Sequence, residues 1–457
     1  MSADDLEEEI LQTARRIVKL GPICDSCLGR QFAMLSTGLS NAERGRALKT
    51  VLAMQASSVQ DTELLEELAK SSRCARLALG REGDDATCWV CLGEMSPDNL
   101  ERWAEKAADA VSGLEHSTFL VGTRMSGLLA ENEELLTADG GSTHAEPMKS
   151  ELNREVGKLV AKKTGKQVDF QRPEITVQLN LEHREIDLQI ASIFLRGRYR
   201  KLVRGIPQTR WPCRECRGKG CPRCHGTGRM YPESVDELIR PAVLEATGAE
   251  DTVFHGAGRE DIDARMLGSG RPFVVEATRP RVRLLDVARL EREINRSSVG
   301  KVEVLELGLS RSEEVEQLKS SALEKTYAAL ISFAEDVSEE KLKSVLNSLK
   351  GSVDQRTPTR VSHRRADKHR ERMVYSADLV ESSGRSARII IRGDSGLYIK
   401  ELISGDGGRT EPSLAGILGV DAVVAELDVL DVGGRLHGSS SRNAEEDAGQ
   451  AKQDGQG

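Results

Sequence analysis

Aromatic side chains are scarce in this 457-residue chain: five tyrosines, three tryptophans and seven phenylalanines make up 3% of it. A tyrosine beside charged residues is therefore a candidate contact. No run approaches the roughly 18 apolar residues that mark a membrane-spanning helix. The N-terminus, Met1-Ser2-Ala3-Asp4-Asp5-Leu6-Glu7-Glu8-Glu9, is acidic where a secretory leader is basic and then apolar. A cytoplasmic protein with no membrane partner is expected. The turn Gly405-Asp406-Gly407-Gly408-Arg409-Thr410 has glycines but no Gly-Lys-Ser/Thr, so it gives no support for ATP hydrolysis. The net charge of −8 excludes a uniformly basic nucleic-acid binder. Binding depends on local fields, however, and here the charge is unevenly spread. The length predicts two to four domains.

Eight of the nine cysteines fall into four Cys-x-x-Cys knuckles, a spacing that lets two thiolates converge on one ion. Cys24/Cys27 and Cys88/Cys91 are lone knuckles far apart in the chain. Cys213/Cys216 and Cys221/Cys224 form one compact run with turn residues and almost nothing apolar, so a metal must hold it together. Two structural zinc sites of four thiolates each are expected. Four thiolates leave no open coordination position, so these sites would staple the fold and not catalyse. For the split pair a redox dithiol or separate buried thiols is the competing reading. An iron–sulphur cluster has no redox partner to support it. Cys74 is left over and reads as a small buried hydrophobe.

Apolar spacing predicts helices over 6–20, 42–54, 62–69, 150–160, 235–247, 315–333 and 342–349. Strands are predicted over 175–181, 186–194, 272–276, 282–286, 302–307, 375–391, 397–404 and 422–430. The stretch 137–145 is polar and reads as a loop. Short strands with uneven connections favour an α+β, multidomain chain with a mostly antiparallel mixed sheet over a regular βαβ repeat. Beyond about residue 436 the composition is Ser/Gly/Glu/Gln-rich without periodicity, so a disordered tail is expected over 437–457.

Two segments concentrate positive charge. Between Phe194 and Met230 eleven arginines and lysines face one glutamate, a formal +10 that suits a polyanion. Residues 355–372 are similarly basic and read as a phosphate-backbone surface. The segment Gly256-Ala257-Gly258-Arg259-Glu260-Asp261-Ile262-Asp263-Ala264-Arg265 lies between two strand-like stretches. There Arg259 can orient the Asp261 carboxylate and keep it ionised, which suits a nucleophile. Period two would place Asp261 and Asp263 on one side of a strand, with Glu260 facing away. A salt-bridged turn without chemistry is the alternative. Tyr398 and Lys400 would share one face of the strand over 397–404, where the tyrosine either stacks on a base or sits half-buried in the core. Tyr327 carries the same ambiguity.

Several motifs in order resemble the archaeal transfer-RNA pseudouridine synthases of the Pus10 family. They are Cys24-Asp25-Ser26-Cys27-Leu28-Gly29-Arg30, Arg196-Gly197-Arg198-Tyr199-Arg200-Lys201, residues 258–265, Leu267-Gly268-Ser269-Gly270-Arg271-Pro272-Phe273, residues 356–367, residues 397–405 and Gly408-Arg409-Thr410-Glu411-Pro412-Ser413. The match is collinear over nearly the whole length before the tail.

The resemblance implies a zinc-clipped helical region over 1–95, and a THUMP-like RNA-binding region over 96–185 that can take in part of 60–95. It also implies a pseudouridine synthase domain over 186–436 with a zinc insertion at 213–224. The implied activity is isomerisation of uridines 54 and 55 in the tRNA T-arm, with no organic cofactor and no obligate protein partner. Asp261, in the Gly-Arg-x-Asp form of Gly258-Arg259-Glu260-Asp261, matches the catalytic aspartate. Tyr327 and Tyr398 match residues associated with uridine binding. Arg259 would position the carboxylate or a phosphate, and Lys400 would neutralise nearby charge. Cys24, Cys27, Cys88 and Cys91 match the accessory zinc site, and Cys213, Cys216, Cys221 and Cys224 the version seen in archaeal members. A non-catalytic zinc-dependent RNA-binding or chaperone protein is the chief alternative, and a metal-dependent nuclease a third.

Overall fold

The computed structural model describes residues 3–35, 38–321, 323–364 and 366–433. The tail expected over 437–457 lies outside the described residues. The chain divides into two compact units, one of residues 1–191 with 279–283 and one of residues 192–278 with 284–457.

In the first unit the helix Asn41–Ser58 begins at a reciprocal cap between Ser40 and Glu43. It lies against the helix Asp25–Gly29 at backbone contact. A Cβ on Gly29 would stand 1.8 Å from the Asn41 carbonyl oxygen, and one on Gly45 would stand 1.9 Å from that of Asp25. Only glycine fits at either position, which accounts for Gly29 in the first cysteine motif.

A four-stranded sheet follows, in the order β2-β1-β3-β4. Its strands are β1 (Thr118–Arg124), β2 (Gln167–Val168), β3 (Ile175–Asn180) and β4 (Glu185–Ile190). β1 runs parallel to β2 and β3, whereas β4 is antiparallel to β3. Phe119, Val121, Ile175 and Val177 share one core with Ile17, Leu52 and Leu68 of the N-terminal helices. The stretches 1–95 and 96–185, read from sequence as two regions, thus bury one common interior.

The second unit is built on a ten-stranded sheet. Its strands are β5 (Ile193–Lys201), β6 (Asp251–Gly256), β7 (Arg265–Thr278), β8 (Val302–Ser310), β9 (Lys325–Phe333), β10 (Gly351–Arg356), β11 (His369–Ser382), β12 (Ser386–Gly393), β13 (Thr410–Glu411) and β14 (Ala422–Val432). Their order is β13-β10-β11-β12-β9-β14-β7-β5-β8, with β6 also paired to β7. Only the short β14–β7 pairing is parallel, so the sheet is mixed and mostly antiparallel, as expected.

Five sequence expectations are corrected. The strand expected over 186–194 is two strands in different sheets: β4 pairs with β3, β5 pairs with β7 and β8, and the border between the units falls after Ala191 instead of after residue 185. The helix expected over 315–333 covers only Ser312–Ser320. Lys325–Phe333 is instead a central strand whose alternate residues are buried. Pairing on both edges, to β12 and β14, overrides the helical preference of its alanines, leucine and lysine.

Conversely, the strand expected over 397–404 is a helix, Ile399–Ser404, which buries Ile399, Leu402 and Ile403 at the i, i+3, i+4 spacing. Residues 282–286 form no strand, and Asp286 caps the helix Val287–Ser297 by accepting from the Arg289 amide. The loop expected over 137–145 begins later, because the helix Gly127–Gly140 continues until Gly141 adopts a left-handed conformation.

Candidate active site

The loop over 257–264 joins β6 to β7, and its two neighbouring acids have opposite environments. The Glu260 side chain is fully buried. It accepts hydrogen bonds from Tyr199 Oη at 2.8 Å and Arg271 Nε at 2.9 Å, and lies 3.5 Å from Lys201 Nζ. Burial opposes its ionisation, but Arg271 and then Lys201 hold it below the ordinary carboxylate value. The same cations grip the loop backbone: Arg271 donates to the Ala257 carbonyl, and Lys201 donates to those of Asp261 and Ile262. Glu260 thus belongs to the framework that fixes the turn.

Asp261 lines a cavity of about 520 Å³ with Arg271, Lys325, Tyr327, Tyr398 and Lys400. Arg360 Nη1 stands 3.2 Å from its Oδ2, and Lys400 Nζ stands 3.7 Å from the same oxygen. Arg360 is held in turn by Glu401, with Nε 2.7 Å from Oε1. Lys400 also pairs with Asp263 at 2.7 Å. Asp261 and Asp263 do address a common neighbour, but from a turn and not from the strand that period two implied.

Arg259 lines the same cavity and is exposed, with no hydrogen bond or ion pair among the described residues. The expectation that it orients the Asp261 carboxylate is corrected: that guanidinium is Arg360's, from a segment remote in sequence. Tyr398 and Lys400 both reach the cavity, from the start of a helix and not from one face of a strand. The buried Gln355 side chain holds the Tyr398 backbone at both polar groups, donating to its carbonyl at 3.0 Å and accepting from its amide at 2.8 Å. Tyr327 is a β9 residue only 9% exposed, and burial pushes its phenol up to about 12, so it keeps its proton at neutral pH.

Arg360, Glu401, Gln355, Arg271, Lys201, Tyr199 and Lys325 were not singled out as site residues from the sequence. All but Lys325 lie within runs already notable for charge or motif. What linear inspection lacked was the strand order that brings β9, β14 and β7 side by side.

The cysteines form two clusters, Cys24/Cys27/Cys88/Cys91 and Cys213/Cys216/Cys221/Cys224, with all ligand atoms of each within 4.8 Å of one another. Sulphur separations of 3.7 Å for Cys24–Cys91 and 3.8 Å for both Cys213–Cys221 and Cys216–Cys224 are far too long for disulfides. They match the ~3.8 Å edge of a tetrahedron with zinc–sulphur bonds of about 2.3 Å. Backbone amides of Cys27, Gly220, Cys221 and Gly228 donate to cluster sulphurs, as fits thiolates. The fully buried Arg30 places Nη1 2.7 Å from Cys27 Sγ and Nε 3.7 Å from Glu133 Oε1, so a thiolate at Cys27 would share with Glu133 the balancing of this buried cation.

The positive run over 194–230 proves to be divided. Arg196, Arg200, Arg204 and Arg229 pair with Glu314, Glu303, Asp428 and Glu237, and Lys201 is buried. Arg210, Arg214, Arg217, Lys219 and Arg223 are exposed and form no ion pair among the described residues. Arg198, on β5, is half-buried and donates to the carbonyls of Ser269, Gly270 and Val432, so the exposed charge available to a polyanion lies mostly on and beside the second cysteine cluster. No helix among the described residues is long and apolar enough to cross a membrane.

The C-terminal Pus10 family model matches residues 194–433, and the model for the archaeal Pus10 THUMP domain matches residues 103–180. A tRNA pseudouridine synthase Pus10 of Methanothrix thermoacetophila is 63% identical over 94% of this chain and 96% of its own. The protein of that name from Halorubrum lacusprofundi is 46% identical over 93% and 97%. Among solved structures, a Cbf5-Nop10-Gar1 complex covers 44% of this chain and 45% of its own at 21% identity, with a TM-score of 0.28 that is too low to bear on the fold. With both family models matched in order and relatives alike over nearly their full length, the chain belongs to the archaeal Pus10 family of tRNA pseudouridine synthases.

Proposed function

We propose that this tRNA pseudouridine synthase converts uridines 54 and 55 of the T-arm to pseudouridine, with Asp261 as the catalytic carboxylate. The observation that carries this reading is the Asp261 side chain, 38% exposed, on the wall of a nucleoside-scale cavity and flanked there by Arg360 and Lys400. The two cations hold in place the carboxylate that acts on the ribose.

In the reaction the N1–C1′ bond breaks, the uracil turns over, C5 joins C1′, and the C5 proton is lost as N1 gains one. Substrate and product are isomers, so neither a redox partner nor ATP is required. Asp261 acts at the ribose, by adding to C1′ or by taking the C2′ proton. The target base is stacked in the folded arm and must be flipped into the cavity. There Tyr398 supports the base and the Tyr327 phenol donates a hydrogen bond. Lys400 compensates the charge of Asp261 and Asp263, and Arg259, exposed and unpaired, meets a backbone phosphate. The THUMP region and the exposed arginines around 210–223 supply the grip that offsets unstacking. The two clusters hold structural zinc, and the protein works in the cytoplasm.

The test is an unmodified tRNA transcript incubated with the protein, with modified positions then mapped chemically. Pseudouridine at 54 and 55 with wild type, none with Asp261→Ala, and unchanged RNA binding are expected. Retained turnover by Asp261→Ala would defeat the assignment, as would loss of turnover on changing Asp263 alone.

A further inference from the structure

Lys325 stands where the alternation of its strand calls for an apolar side chain. Its residue face along β9 continues through Tyr327, Ala329, Ile331 and Phe333, all buried. β12 and β14 place Gly393 and Val432 opposite it. Lys325 is only 8% exposed, yet its ammonium has no hydrogen bond or ion pair among the described residues. It lines the Asp261 cavity, and a Cβ on Gly258 would lie 3.5 Å from its Nζ and 3.7 Å from Arg271 Nη1. The carboxylates around it are committed elsewhere: Glu260 to Arg271, Tyr199 and Lys201, and Asp261 to Arg360 and Lys400. Burial, and then Arg271, pull its pKa down to about 8, with Glu260 opposing them.

A buried cation without a partner is costly to maintain, and the cost is recovered only if something negative arrives. A flipped uridine brings a neutral base, but breaking N1–C1′ leaves the bonding pair on the uracil, delocalised over N1, O2 and O4. Negative charge then appears where none existed in the ground state. A donor fixed in place before that moment stabilises the transition state more than the substrate.

We propose that Lys325 is a catalytic residue that donates a hydrogen bond from its ammonium to a carbonyl oxygen of the departing uracil, stabilising the anion formed when the glycosidic bond breaks. No proton needs to move in this step. The pair returns from the ring to C1′ when C5 attacks, and the ammonium is released unchanged. The inference rests on the Asp261 cavity being the uridine site.

The experiment compares single-turnover rates of wild type, Lys325→Met and Lys325→Gln on tRNA carrying uridine or 5-fluorouridine at the target position, read on both as conversion of the N1 glycoside to the C5 glycoside. With 5-fluorouridine no C5 proton is lost and the product keeps fluorine on a saturated C5. Fluorine makes the ring a better leaving group, so the need for the ammonium falls. Lys325→Met is expected to lose about 100-fold on uridine, with tRNA affinity unchanged and at least 10-fold of the deficit recovered on 5-fluorouridine. Lys325→Gln, which keeps a donor without the charge, should fall between. Equal deficits on both substrates, as from distorted packing or a missing phosphate partner, would overturn the proposal, and so would a Lys325→Met rate equal to wild type. Asp261→Asn is run alongside. Turnover by that variant sinks the site reading itself, whichever way the Lys325 comparison falls.

Discussion

Arg360 divides its guanidinium between two carboxylates, with Nε 2.7 Å from Glu401 Oε1 and Nη1 3.2 Å from Asp261 Oδ2. The Glu401 contact is the shorter, and the Glu401 side chain is only 5% exposed. Glu401 therefore anchors the guanidinium and leaves one edge of it free for Asp261.

Replacing Arg360 with methionine removes the nearer of the two cations beside Asp261, the carboxylate we propose to be catalytic. The expected loss in single-turnover rate is about 100-fold, the scale seen when one preorganised charged donor is removed, with tRNA affinity changed far less. Glu401→Gln touches Asp261 only through Arg360, so its loss should be smaller. The double variant should be no worse than Arg360→Met alone, because the two changes break one chain of contacts. Additive losses in a rate assay would show that Glu401 acts by a separate route.

Glu260 and Asp261 make a second, separable pair. Glu260→Gln leaves Arg271 and Lys201 buried beside a neutral amide, at an expected cost of about 3–5 kcal/mol in stability, read by urea denaturation. The pH dependence follows from its lowered pKa. A carboxylate held below its unfolded value contributes stability above that value, 4.5 for an ordinary glutamate, and loses it as pH falls through the folded value. Wild-type denaturation midpoints should therefore drop below about pH 4.5 more steeply than those of Glu260→Gln. Parallel curves would show that the buried network carries no net charge linkage.

The site was legible in the sequence where its chemistry is contiguous. Gly258-Arg259-Glu260-Asp261 and the four cysteine pairs are short motifs whose geometry is local, and each was placed from spacing or resemblance. The partners of Asp261 were not legible in the same way. Arg360 and Lys325 reach the cavity, and Gln355 holds the Tyr398 backbone beside it, through the order of strands in the sheet and the turns that connect them, which no local pattern encodes. Lys325–Phe333 and Ile399–Ser404 were each assigned the wrong element for one reason: a short apolar run fits either period until its neighbours are known. Arg259 was paired with Asp261 by adjacency, yet the turn commits the residue between them to the interior and leaves Arg259 exposed.

The zinc and RNA-binding roles proposed for the second cysteine cluster can be separated by charge and metal content. Arg214, Arg217 and Arg223 are exposed on the run that Cys213, Cys216, Cys221 and Cys224 fold. Changing all three to glutamine should leave two zinc ions per chain by elemental analysis and weaken tRNA binding. The slope of log affinity against log salt should shrink by roughly 0.7–0.9 for each phosphate that is no longer neutralised. Cys216→Ser with Cys224→Ser should reduce zinc to one per chain and also weaken binding, because the arginines remain but nothing holds them in register. Both sets lie outside the Asp261 cavity, so at saturating enzyme the rate of isomerisation should be restored in each. A rate that stays low at saturation would mean that this loop takes part in the chemistry and does more than grip the RNA.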